Sequence, residues 1–166
     1  MIARSDRPTR LLWFLAAALL PAVAAFMVFE HWTSPDPRVQ VDAALDPACD
    51  LRAGPCTSSL NDGRSVRFSI EPRSIPPLTP LQLRVDAVGF NAQEVSVGLN
   101  GVGMHMGFNQ IALSKHPQGY FSATGSLSVC IRDVMEWEAV VTLVSEDTLV
   151  YAPFRFITTK NAIRRP

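Results

Sequence analysis

The chain has 166 residues, of which 48% are hydrophobic and only 18% charged, with 15 basic and 15 acidic side chains in balance. That length suits one domain of ordinary size. The low charge excludes a disordered acidic or basic tail protein, and the balance excludes the basic footprint of a nucleic-acid binder.

The charge is unevenly placed. Residues 1–10 hold Arg4, Arg7 and Arg10 against Asp6, and Leu11 to Phe29 then carry no charge. A run of 19 apolar residues just spans a hydrocarbon core of about 30 Å at 1.5 Å per residue. Basic residues before it and none after it until Arg38 put the N-terminus in the cytoplasm by the positive-inside rule. Trp13 and Trp32 stand near the two ends, where indole rings favour the interface. The rival reading is a cleaved signal peptide, with Leu11–Leu20 as its apolar region, Pro21 as the breaker and Ala22-Val23-Ala24 as the cleavage site. The run continues through Ala25 to Phe29, which a signal peptide does not need and which favours an uncleaved anchor. Arginine supplies 13 of the 15 basic side chains, which fits a bacterial inner membrane. Four segments are expected: a cytoplasmic N-terminus at 1–10, a transmembrane anchor at 11–29, a linker at 30–44 and an exported β-sandwich domain at 45–160.

The linker is read from Thr33-Ser34-Pro35-Asp36-Pro37, a turn-forming stalk. Cys49 and Cys56 follow in CDLRAGPC, and Cys130 stands far downstream. Three pairings are open in an oxidising compartment. The local pair Cys49–Cys56 is the first choice because it closes the shortest loop. No Cys-x-x-Cys occurs, which argues against a thioredoxin-type centre.

From about Ser65 the apolar residues alternate: Val66, Phe68, Ile70; Leu81, Leu83, Val85; Val95, Val97, Leu99; Ile111, Leu113; and Trp137, Ala139, Val141, Leu143. Tyr120–Val129 and Leu149–Ile157 complete the set. Period-two alternation marks half-buried strands. Turn signals at 72–80, 89–91, 117–119 and 146–147 separate them. About seven such strands read as an immunoglobulin-like antiparallel β-sandwich, so the fold expected is mainly β behind a single N-terminal transmembrane helix.

The segment that carries chemistry is LNGVGMHMGFN, in which Met104, His105 and Met106 are adjacent. Thioether sulfur is soft and prefers Cu(I), and imidazole accepts either copper state. On an unbroken strand from Val95, His105 shares the phase of Val97 and Leu99, and the two methionines face the other way. Gly101, Gly103 and Gly107 can bulge the strand and reverse that phase. Two readings stay open: methionines packed in the sandwich, or a Cu(I) site. Met135, at the start of the Trp137 strand, is a further candidate ligand or a core residue. His116, beside Pro117, reads as a turn residue, and His31 as a membrane-boundary one. Glu136 and Glu138 read as a solvated strand face. With no Gly-x-Ser-x-Gly elbow, phosphate-binding loop or dinucleotide fingerprint, the chain reads as a non-enzyme.

The anchor, the stalk and a sandwich ending in PQGYFSATGSLSVCIRDVMEWEAVVTL resemble the FixH/YtkA-like group of small bacterial proteins. The group's Gly-Tyr, strand, tight turn and Trp-containing strand correspond to Gly119-Tyr120 and to Trp137-Glu138-Ala139-Val140-Val141. MHMGFN and CDLRAGPC are similar to a further bacterial group associated with haem–copper oxidase and copper-handling genes. The resemblance covers roughly residues 45–158 and departs at Cys130–Val134, where the group more often has glycine. It implies a membrane-anchored periplasmic accessory protein that binds copper or assists assembly of a respiratory oxidase. The alternative is a metal-free interaction or structural module that docks a membrane protein partner.

Overall fold

Alternation of apolar and polar side chains requires a surface with one dry and one wet face, and the computed structural model supplies it from nine strands among the described residues. Residues 7–33, 36–103, 109–128 and 133–159 are described. The chain divides into two units, one reaching Pro37 and one beginning at Arg38.

The first unit is helix α1 (Arg7–Thr33). Its Ala- and Leu-rich sequence is a strong helix former, and 27 residues extend for about 40 Å. Pro21 lies inside it, removing one backbone donor. Trp13, Phe14, Leu15, Leu19, Leu20, Val23 and Phe26 to Phe29 are all exposed, and at 100° per residue they point right round the axis. Among the described residues no helix is long and apolar enough to cross a membrane. The side chains at 7–12, 16 and 30–33 lie outside that described set.

The second unit holds β1 (Val39–Asp42), β2 (Cys56–Ser59), β3 (Ser65–Glu71), β4 (Leu81–Val88), β5 (Glu94–Gly101), β6 (Gln110–Lys115), β7 (Phe121–Gly125), β8 (Val134–Val144) and β9 (Thr148–Thr159). They form one sheet in the order β1-β9-β8-β5-β6-β7-β4-β3-β2, curled into a half-barrel. The bend lies at β6, which pairs β5 through Gln110–Leu113 and β7 through Ser114 and Lys115. Gly125 ends β7 beneath Ile111, where an added Cβ would lie 2.5 Å from the Ile111 Cδ1. A methyl group there would push the isoleucine tip out of the corner.

Curling brings β3 over β9, and the Phe68 and Phe154 rings meet at 5.4 Å. The buried side chains keep the expected alternation: Val66, Phe68, Ile70; Leu81, Leu83, Val85; Val95, Val97, Leu99; Trp137, Ala139, Val141, Leu143; and Val150, Ala152, Phe154, Phe156. Trp137 is 1% exposed and its Nε1–H donates to the Thr158 hydroxyl at 2.9 Å. A buried indole needs such an acceptor. Ile75 is fully buried with φ 45°. A β-branched residue in that region costs about 1–3 kcal/mol, which burial worth about 1.5–3 kcal/mol offsets.

Three expectations are corrected. The sheet is mixed rather than antiparallel, because β1 runs parallel to β9. The stretch expected as linker to residue 44 contains β1, and the β unit starts at Arg38 rather than at 45. The strand expected over Tyr120–Val129 ends at Gly125, after which Leu127 turns into the core with its carbonyl accepting from the Leu78 N–H.

Replacing Thr158 with valine removes the acceptor and strands the indole N–H. Thr158→Val should cost about 1–3 kcal/mol in chemical denaturation, whereas Thr159→Val on the outer phase should stay within about 0.5 kcal/mol. Equal effects would show that the Trp137–Thr158 bond contributes nothing.

Candidate functional site

The segment between β1 and β2 must cross from one sheet edge to the other, and its residues fix its path. Asp46 Oδ1 accepts the Ala48 N–H and Asp50 Oδ1 the Arg52 N–H, each at 2.9 Å. These are Asx turns, in which a short carboxylate satisfies the backbone two residues on. The Ala53 and Gly54 N–H groups donate to the Asp50 carbonyl at 2.9 and 3.2 Å. Leu51 is 1% exposed and anchors the loop in the core. Cys49 and Cys56 are joined in a disulfide with Cα atoms 5.7 Å apart. The buried Ser58 hydroxyl donates to the Ala44 carbonyl at 2.8 Å, tying β2 to the start of the crossing.

Between this loop and the end of β9 lies a cleft of about 530 Å³. Leu45, Pro47 and Cys49 form one wall, and Phe156 and Ile157 line the opposite side. Asp46, Asp50, Arg52, Glu136 and Arg155 supply its charge, an excess of one acid. Arg155 is engaged by Glu138 at 3.1 Å and Glu136 at 3.9 Å. Both pairs are exposed and contribute little to stability. Arg52 Nη1 donates to the Ile157 carbonyl at 3.5 Å, the one side-chain link across the cleft among the described residues.

Of the residues singled out from sequence, Met135 and Glu136 lie at this end of the sheet, whereas His116 follows β6 at the other end. Met104, His105 and Met106 lie outside the described residues. Their flanks are described: Gly101 pairs with Trp137, the Val102 N–H donates to the Glu136 carbonyl at 3.0 Å, and the Leu99 N–H to the Asn109 carbonyl at 3.1 Å. Gly101 and Val102 therefore lie beside the start of β8, next to Glu136, which lines the cleft. Met135, second in β8, is 4% exposed and shares the core phase of Trp137. Among the described residues no group of three or more His, Cys, Asp or Glu is placed to hold a metal ion. His116 is half-buried: its Nε2 lies 2.8 Å from the Ser122 hydroxyl and its ring stacks on Tyr120 at 4.4 Å.

Sequence reading missed Leu45, Arg52, Arg155 and Phe156, which meet only through the fold. The available signal was Pro153 inside an otherwise regular strand, which marks an edge. Two pKa shifts lie away from the cleft. Asp62 is held below its ordinary value by the Arg64 backbone N–H that it accepts, with the guanidinium adding to the effect. Arg84 is raised by its hydrogen bonds to Asp86.

No protein-family model matches the chain, and neither a curated protein nor a solved structure shows significant similarity to it.

The disulfide closes a short loop, which limits its entropic effect on the unfolded chain. Cys49→Ala with Cys56→Ala should lower stability by about 2–3 kcal/mol. An unchanged denaturation midpoint would mean that the Asx turns and Leu51 hold the cleft wall by themselves.

Proposed function

We propose that the chain is a membrane-anchored, extracytoplasmic accessory module. Helix α1 spans the bilayer with its N-terminus in the cytoplasm and carries an immunoglobulin-like β domain on the far side. The observation that carries this reading is the exposure of large apolar side chains right round α1. A helix apolar on every face needs an apolar solvent. The uncharged run Leu11–Phe29 matches a hydrocarbon core of about 30 Å, and Arg4, Arg7 and Arg10 set the orientation. A disulfide in the β domain fits an oxidising compartment. The apposed Phe68 and Phe154 on the two halves of the sheet support the sandwich description.

Within that reading, Met104, His105 and Met106 form a soft donor set for Cu(I), on a segment whose flanks lie beside the start of β8. The FixH/YtkA-like resemblance points to a respiratory oxidase or its assembly factors as the partner in the inner membrane. The second reading, a metal-free module that docks a membrane protein, is favoured by the cleft beside β9.

One preparation tests both parts. The protein should sediment with membranes, and protease added to spheroplasts should digest the β domain and spare the first ten residues. A soluble periplasmic form beginning near Ala25 would contradict the anchor. The purified full chain should bind about one equivalent of Cu(I), and Met104→Leu with Met106→Leu should abolish binding while costing under about 1.5 kcal/mol of stability. If His105 coordinates, its protonation competes with the metal, so affinity should fall as pH drops below about 6.5. Copper affinity unchanged in the folded double variant would leave the docking reading.

A further inference from the structure

We propose that the far end of β9 is a docking edge for an extended segment of a partner protein. The assignment rests on the docking reading above and specifies its site.

Backbone parity decides which side of β9 is open. In a strand, the N–H and C=O of one residue point to the same side, and successive residues alternate. The Val39 N–H donates to the Asp147 carbonyl and the Ala43 N–H to the Tyr151 carbonyl at 2.8 Å. Odd-numbered residues of β9 therefore address the β1 side. Even-numbered residues address β8, where Ala152 pairs Val141 and Phe156 pairs Trp137. Strand β1 ends at Asp42, opposite Tyr151. Beyond that point the Pro153 carbonyl, both Arg155 backbone groups and the Ile157 N–H have no backbone partner among the described residues.

Such an edge is a template for strand addition, and the surroundings favour this use. The cleft runs alongside it, and its opposite wall is held by the disulfide and two Asx turns, so the site is formed without a partner. Pro153 supplies no donor, which limits the ladder to a short segment and discourages long edge-to-edge pairing. Leu45, Pro47 and Phe156 offer an apolar seat for one side chain of that segment. Arg155 is already taken up by Glu136 and Glu138, and of the lining charges outside these pairs, Asp46 and Asp50 outnumber Arg52 by one, an acidic excess that selects a basic residue beside the apolar one.

The probe is a capped pentapeptide with leucine at its centre, valine beside it and lysine at both ends, added to the full chain in detergent and followed by amide NMR. Binding at or below about 1 mM, with the largest shifts at Arg155 and Ile157, is the expected result. Methylating the peptide's backbone nitrogens on its ladder side keeps every side chain and should weaken binding at least about ten-fold. Ile157→Pro should weaken it similarly without removing a bond to β8, and the methylated peptide decides the matter if that variant does not fold. Absence of shifts at Arg155 and Ile157, or equal binding of the methylated peptide, would overturn the proposal. So would concentration-dependent dimerisation that protects these two amides without peptide, which would make a second copy the occupant. Peptide-induced shifts confined to other parts of the β domain would overturn this site and keep the docking reading, whereas no shifts anywhere would overturn both; membrane fractionation and copper titration are unaffected by either outcome.

Discussion

Strand β6 changes partner along its length, and the rest of the β unit follows from that change. Its first four residues belong to the ladder with β5 and its last two to the ladder with β7. A sheet bent at that point folds its two inner faces together, so that Phe68 and Phe154 share one core. The same bend carries the terminal strands β1 and β2 to the same open side. The chain between them must then bridge the gap, and that bridge is the loop that walls the cleft. Ile111 can close the corner because Gly125 offers no side chain beneath it.

The interactions that hold this arrangement are of unequal weight. The continuous apolar interior dominates, with Val66, Phe68, Leu81, Leu83, Trp137, Val141 and Leu143 all at or below 1% exposure. Among the described residues every buried side-chain nitrogen and oxygen has a hydrogen-bond partner. The Trp137–Thr158 and Ser58–Ala44 bonds are therefore conditions of burial more than sources of net stability. Surface ion pairs such as Arg84–Asp86 and Arg155–Glu138 order side chains on the wet faces and add little.

Much of the β pattern was legible because burial on one face leaves a period of two in the sequence. Trp137, Ala139, Val141 and Leu143 show it most plainly. Two strands were not legible, for different reasons. The VQVD of β1 is short, lies close to prolines and exposes Val39. The CTSS of β2 buries a serine, which is dry only because Ala44 accepts its hydroxyl. The parallel pairing of β1 with β9 could not be read because nothing in either segment encodes the direction of a distant neighbour. The cysteine loop was legible from its length. The cleft was not, since residues 45–52 meet 136 and 155–157 only after the sheet has curled.

Strand β1 covers only the first part of β9 and leaves the outer side of its far end without a backbone partner among the described residues, beside a preformed cleft. Amide hydrogen exchange, resolved residue by residue in the full chain without added peptide, tests it most directly. The Ala152, Phe154, Phe156 and Thr158 amides, which face β8, should be strongly protected, and those of Arg155 and Ile157 should exchange at rates typical of exposed loops. Equal protection of Arg155 and Ile157 with their even-numbered neighbours would show that the edge is already paired, and would contradict the account.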